Sequence, residues 1–110
     1  MQTSQLPAPA ATRPITSKQA TAIACLMRLA LALGVRGQRY YLLPHGPERT
    51  QMEVELAEWE GQWWVDVTSF ASKPEHGAIH HTRQVAICSN PEAAIDAFER
   101  WAVEAEESTP

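Results

Sequence analysis

Gln51-Met52-Glu53-Val54-Glu55-Leu56, then Glu60-Gly61, then Trp63-Trp64-Val65-Asp66-Val67-Thr68: these three pieces decide the fold. In the first, apolar and polar residues alternate strictly, the period-2 signature of a strand with one buried and one wet face. The third repeats that alternation, and Glu60-Gly61 supplies the tight turn between them, so the stretch reads as an antiparallel hairpin. The turn sets the register. Val54 faces Val67, Leu56 faces Val65 and Glu58 faces Trp63, which places Met52, Val54, Leu56, Trp63, Val65 and Val67 on the core face. The opposite face carries Glu53, Glu55, Trp64 and Asp66, with Glu55 directly across from Asp66. Like charges facing each other across strands destabilise a sheet, so this register predicts either a slip or a basic group on the acidic face, from the same chain or a partner.

Working outward, Gln38 to Leu43 is a short aromatic and apolar strand, stopped by Pro44, Gly46 and Pro47. Before it, Pro14 and a cap at Thr16 or Ser17 open a helix whose inward residues are Ile23, Leu26, Met27, Ala30 and Leu33, widened by Ala20, Ala24 and Leu31. Lys18, Thr21, Arg28 and Cys25 fall on its other side, and Gly34 stands where a left-handed C-cap belongs. After the hairpin, 69–82 shows no period and is expected to be a long loop. A last strand, Gln84 to Cys88, points Val85 and Ile87 inward and Cys88 away. Ser89-Asn90-Pro91-Glu92 then starts a second helix, with Ala94, Ile95, Phe98, Trp101, Ala102 and Ala105 inward. The fold class is therefore α+β: helix, antiparallel three- or four-stranded meander, helix, with both helices on one face. The expected organisation is a flexible arm over 1–14, one domain over 15–106 and a frayed tail over 107–110.

Composition bounds the function. The chain has 110 residues, 45% hydrophobic and 20% charged, close to globular averages. Two cysteines, Cys25 and Cys88, do not make a disulfide framework and suit a reducing compartment. Met1 to Pro14 lacks the pattern of a secretory signal, and the longest apolar stretch, Ala20 to Leu33, is too short to span a bilayer. A cytoplasmic location is expected. The net charge of −4 is unevenly divided: residues 1–50 hold six Lys/Arg against one acid, and residues 51–110 hold three against twelve. Such a split suggests opposite faces or a charged partner. High Ala and Arg with little Lys suits a GC-rich bacterium or a mobile element carried by one.

Sites of chemistry are sparse. His76, His80, His81 and Cys88 are metal-capable, but Pro74 and Gly77 oppose the helix that a four-residue histidine spacing needs, and no metal or cofactor is expected. No glycine-rich phosphate loop or serine elbow is present, and no Cys/His unit is marked. Arg36, Arg39 and Arg49 with Tyr40 form a basic, aromatic set of the type that holds single-stranded nucleic acid, set against an acidic whole. The helix, three strands, helix order resembles the double-stranded RNA-binding domain family. That family carries lysines at the start of its last helix, where this chain has Asn90, Pro91 and Glu92, so the resemblance implies no RNA-binding function here. The leading expectation is a non-enzymatic protein-binding module: an adaptor, a chaperone, or an inhibitor of a nucleic-acid-binding complex. It presents Trp64, Glu53, Glu55, Asp66 and Trp59 to a basic partner, with homodimerisation as another use of that face. A nucleic-acid-binding regulator is the second expectation and a small metal-dependent or Cys/His enzyme the third.

Overall fold

The computed structural model describes residues 15–42, 51–73 and 77–108. The expected arm over 1–14, Leu43, Arg49, His76 and the end of the tail, 109–110, lie outside them. The elements in chain order are α1 (Ser17–Ala32), β1 (Gln38–Leu42), β2 (Gln51–Trp59), β3 (Gln62–Lys73), β4 (Gly77–Cys88) and α2 (Pro91–Glu107). The strands form one antiparallel meander in the order β1-β2-β3-β4. The four strands are one of the two counts expected, and one more than the three-stranded order of the double-stranded RNA-binding domain family.

The hairpin register is the one the turn dictates: Val54 opposite Val67, Leu56 opposite Val65, Glu58 opposite Trp63 and Glu55 opposite Asp66. Glu60 and Gly61 both take positive φ, 51° and 81°, the combination a type I′ turn requires. The Glu58 carboxylate accepts the Gly61 N–H at 3.3 Å. The core-facing residues Val54, Leu56, Trp63, Val65 and Val67 are all buried.

Both helices start on side-chain caps. Thr16 and Gln19 make a reciprocal capping box at α1, and the Asn90 side chain accepts the Ala93 N–H at α2, with Pro91 in the first turn. The α1 end is closed by Gly34 at φ 89°, with Val35 N–H donating to the Ala30 carbonyl and Gly34 N–H to that of Leu31, a Schellman closure. The second helix includes Glu107, one residue into the expected tail.

Ser17, at the start of α1, donates to Glu106 at the end of α2, while Arg28, near the end of α1, reaches Glu92 at the start of α2. The helices are therefore antiparallel neighbours. α2 packs on β3 and β4, and α1 is tied to β1 where the buried Gln38 amide donates to the Met27 carbonyl at 3.1 Å. Ala20, Ile23, Ala24 and Met27 of α1 and Ala94, Ile95, Phe98 and Ala102 of α2 close one core with the inner sheet face.

Three expectations are corrected. Within the stretch expected to be a loop, 69–73 and 77–82 are strand: β3 and β4 pair from Ser69–His81 out to Lys73–Gly77. β2 reaches only as far as Phe70, so neither face of this overhang carries the apolar alternation by which a strand is recognised, and the ladder alone defines it. On β4, Ala86 pairs with Val65 and Gln84 with Asp66, leaving Val85 as the extra residue of a bulge. A bulge resets alternation: Ala86 and Cys88 turn to the core, whereas Ile87 turns outward and is 56% exposed. Finally, Leu26 and Leu33 do not point inward. The buried arc of α1 is narrower than its apolar surface, and both leucines are exposed.

Candidate functional site

Since both helices lie on one face of the sheet, the other face is assembled by alternation alone. Four rows cross it. At the hairpin end, Ala57, Trp64 and Ile87 are in register, with Trp59 exposed at the corner. Next come Arg39, Glu55, Asp66 and Gln84, then Tyr41, Glu53, Thr68 and Thr82. In the fourth row Phe70 lies against His80, ring centroids 5.8 Å apart. An acidic centre is thus bordered by aromatic and aliphatic side chains on both sides.

The centre explains why the Glu55–Asp66 register survives. The basic group that this register requires is Arg39, from the neighbouring strand. Its guanidinium lies 3.2 Å from Glu53 and 3.1 Å from Glu55. The hydrogen bond to Glu55 is the largest cause holding Arg39 above its ordinary pKa. Asp66 is beyond this arrangement. Its Oδ1 is buried and has no hydrogen-bond partner among the described residues. Burial, and then the charge of Glu55, push its carboxyl above the usual aspartate range. Three carboxylates against one guanidinium leave a net charge of −2 on this face, with one oxygen atom that lacks a donor.

All five residues expected to bind a partner are therefore on this face: Trp64, Glu53, Glu55 and Asp66 are half-buried within it, and Trp59 is exposed at its corner. The basic set is not brought together. Arg36 sits at the hairpin end on the core side, 3.3 Å from Glu58 and with its guanidinium carbon 5.1 Å from the centre of the Trp63 ring. Arg39 is on the outer face, and Tyr40 is on the inner face, bonded to Gln38. The metal-capable residues are also apart: His80 and His81 point to opposite faces of β4, and Cys88 is at the far end of that strand against the core. Among the described residues no cluster of three His, Cys, Asp or Glu side chains could hold a metal ion.

Three contributors to the face were missed by sequence reasoning: Tyr41, Phe70 and Ile87. Two carried a signal. Tyr41 alternates with Arg39, and Phe70 continues the even-numbered series Trp64, Asp66, Thr68. Ile87 carried none, because the bulge that turns it outward leaves no mark in the local pattern. Also unforeseen is the outer side of α1. Leu26, Leu29 and Leu33 are 49%, 58% and 83% exposed, and with Ala22, Cys25 and Ala32 they make an apolar stripe on the side away from the core.

Comparison with known proteins returns no matching family model, no matching curated protein and no matching solved structure. The fold and the site define a small α+β domain, a four-stranded meander with two antiparallel helices on one face. No described helix is long and apolar enough to cross a membrane.

Proposed function

We propose that this protein is a non-enzymatic protein-binding module whose open sheet face docks a basic protein surface. The supporting observation is the centre of that face, where the carboxylates of Glu53, Glu55 and Asp66 meet one guanidinium and Asp66 Oδ1 has no donor among the described residues, inside a rim of Tyr41, Trp64, Phe70 and Ile87. A buried acceptor without a partner is costly. A lysine or arginine of a docking protein offsets the unbalanced carboxylate charge, and the apolar rim excludes water around the new pair, the arrangement in which interfacial charge contributes most. The two unbalanced negative charges speed the approach of a basic partner and penalise an acidic one. An adaptor, a chaperone or an inhibitor of a nucleic-acid-binding complex each fits this reading, in the cytoplasm of a bacterium or as the product of a mobile element.

The test is a pull-down from bacterial lysate with the full chain, with and without nuclease, beside two altered baits. One carries Glu53→Lys, Glu55→Lys and Asp66→Lys. The other carries Ile87→Ser alone, an exposed position whose change leaves the core intact, and circular dichroism checks that both are folded. A protein that survives nuclease, is lost by the first bait and is weakened on the second supports the reading. If nuclease removes everything recovered, a nucleic-acid-binding role takes its place. Should a nuclease-resistant partner bind all three baits equally, the sheet face is not the docking surface.

A further inference from the structure

Among the described residues, β4 has a neighbouring strand on one side only. A bare sheet edge offers a row of backbone N–H and C=O groups to any second strand. Proteins blunt such edges with short strands, proline, lysine or bulges. β1, the other edge, is short, at five residues. β4 has 12 residues, about twice the usual strand, and contains no proline or lysine. Its bulge lies at Val85, which leaves 77–84 in unbroken register with β3. His80, His81, Thr82, Arg83 and Gln84 are all exposed.

The helix layer stops at the same boundary. α1 is tied to β1, and α2 packs on β3 and β4. Glu92, Asp96 and Glu99 of α2 point to Arg28 of α1, while Ala94, Ile95, Phe98 and Ala102 point into the core. At about 100° per residue, Ala97 and Trp101, with Glu104, fall on the flank away from α1, which is the flank towards the β4 edge. Ala97 and Trp101 are only partly buried against the core.

We infer that β4 and this flank of α2 form the interface between two copies of the chain. Antiparallel pairing of the two β4 strands about a two-fold axis joins both sheets into one, an isologous contact. Paired strands lie about 4.8 Å apart. Helices that each cover two strands then stand about 10 Å apart, the distance at which helices pack. Sheet layer and helix layer therefore close together, with Ala97 and Trp101 between two antiparallel α2 helices whose dipoles attract. A lone extended peptide would pair with the strand and leave that flank in water, whereas a second copy brings both strand and helix. Charge permits it. The chain carries a net charge of −4, and the outer sheet face and the α1 side of α2 both hold more carboxylates than guanidinium groups. β4 holds no acid and one full charge, Arg83, which balances Glu104 on the flank, so two copies meet here across a neutral surface.

The test is sedimentation velocity on the full chain from about 1 μM to about 1 mM, with hydrogen–deuterium exchange at both ends of that range. A reversible dimer of twice 12.2 kDa is expected. In it the amides of 77–88 exchange more slowly than in the monomer, while those of β1 are unchanged. His81→Glu with Arg83→Glu, at exposed positions, places carboxylates in the strand and is expected to weaken the dimer at least about tenfold. Ala97→Gln, which thickens the flank, is expected to weaken it as well. Circular dichroism checks that both variants are folded, and the exchange measurement on the native chain needs neither. A chain that stays monomeric up to about 1 mM overturns the proposal. So does a dimer whose 77–88 amides exchange as in the monomer, or one that survives the His81 and Arg83 changes. A dimer dissociated by Leu29→Glu and not by the edge variant assigns the contact to the outer side of α1. Slow exchange of 77–88 in a monomer at every concentration assigns the edge to a segment of the same chain, and the proposal falls.

Discussion

Replacing Asp66 by Asn tests the centre of the sheet face, because it keeps the shape and removes the charge. Burial and Glu55 hold the Asp66 carboxyl above its ordinary range in the folded protein. Between the ordinary and the raised value, the folded state therefore binds more protons than the unfolded state, and stability falls as pH rises through that window. Above the window the penalty is constant. Its size comes from two contributions. A buried polar atom without a partner costs about 1–3 kcal/mol, more of it when the group is charged, and since asparagine leaves a neutral polar atom in the same place and the side chain is half-buried, the relief takes the low end of that range. The like charge of Glu55 across the strands adds up to about 1 kcal/mol, reduced because Arg39 already neutralises much of it. Asp66→Asn is thus expected to stabilise the protein by about 1 kcal/mol at neutral pH, an increase of roughly 0.5 M in the urea midpoint, with the gain vanishing in acid. Urea unfolding followed by tryptophan fluorescence at several pH values between about 3 and about 8 measures it. A variant that is less stable at neutral pH, or a gain of equal size at every pH, would refute the account of Asp66 as a desolvated, unpartnered carboxylate. If the sheet face docks a basic partner, the same variant binds that partner more weakly, so stability and binding move in opposite directions.

Arg28→Met removes the tie between the helices while keeping most of the aliphatic stem. With the guanidinium side chain 34% exposed, each pair is worth well under 1 kcal/mol, and the three together about 1–2 kcal/mol; urea unfolding should show that deficit at low salt and a smaller one at about 1 M salt. Gly34→Ala forces a side chain onto a residue at φ 89°, and since an added Cβ meets nothing within 4 Å, the expected loss of about 1 kcal/mol is purely a backbone effect. Thermal unfolding checks it, with Gly34→Asn expected to lose less because asparagine tolerates that region.

The parts of the fold legible from sequence are those fixed by near neighbours. Strict alternation in Gln51–Leu56 together with Glu60-Gly61 sets strand, turn and register. Thr16 and Asn90 mark helix starts, and Gly34 marks a helix end, because the groups that satisfy the backbone there lie within four residues. The same alternation placed Glu53, Glu55, Trp64 and Asp66 on one face and called for either a slipped register or a cation beside them.

Which cation it was, only the tertiary structure decided. Arg39 is sixteen residues from Glu55 in the chain, and nothing local distinguishes it from Arg36, which turns to Glu58 and Trp63 instead. The β4 bulge is equally a matter of fit. Val85 is the extra, unpaired residue where β3 and β4 come into register around Asp66, and that insertion exchanges the sides of Ile87 and Cys88. On α1 the apolar residues surround most of the helix, so periodicity alone could not say which of them are covered. One sheet face and one neighbouring helix can bury only part of that circumference. They take Ala20, Ile23, Ala24 and Met27 and leave Leu26, Leu29 and Leu33 in water, because burial depends on what lies opposite a side chain, and a helix sequence does not record its neighbours.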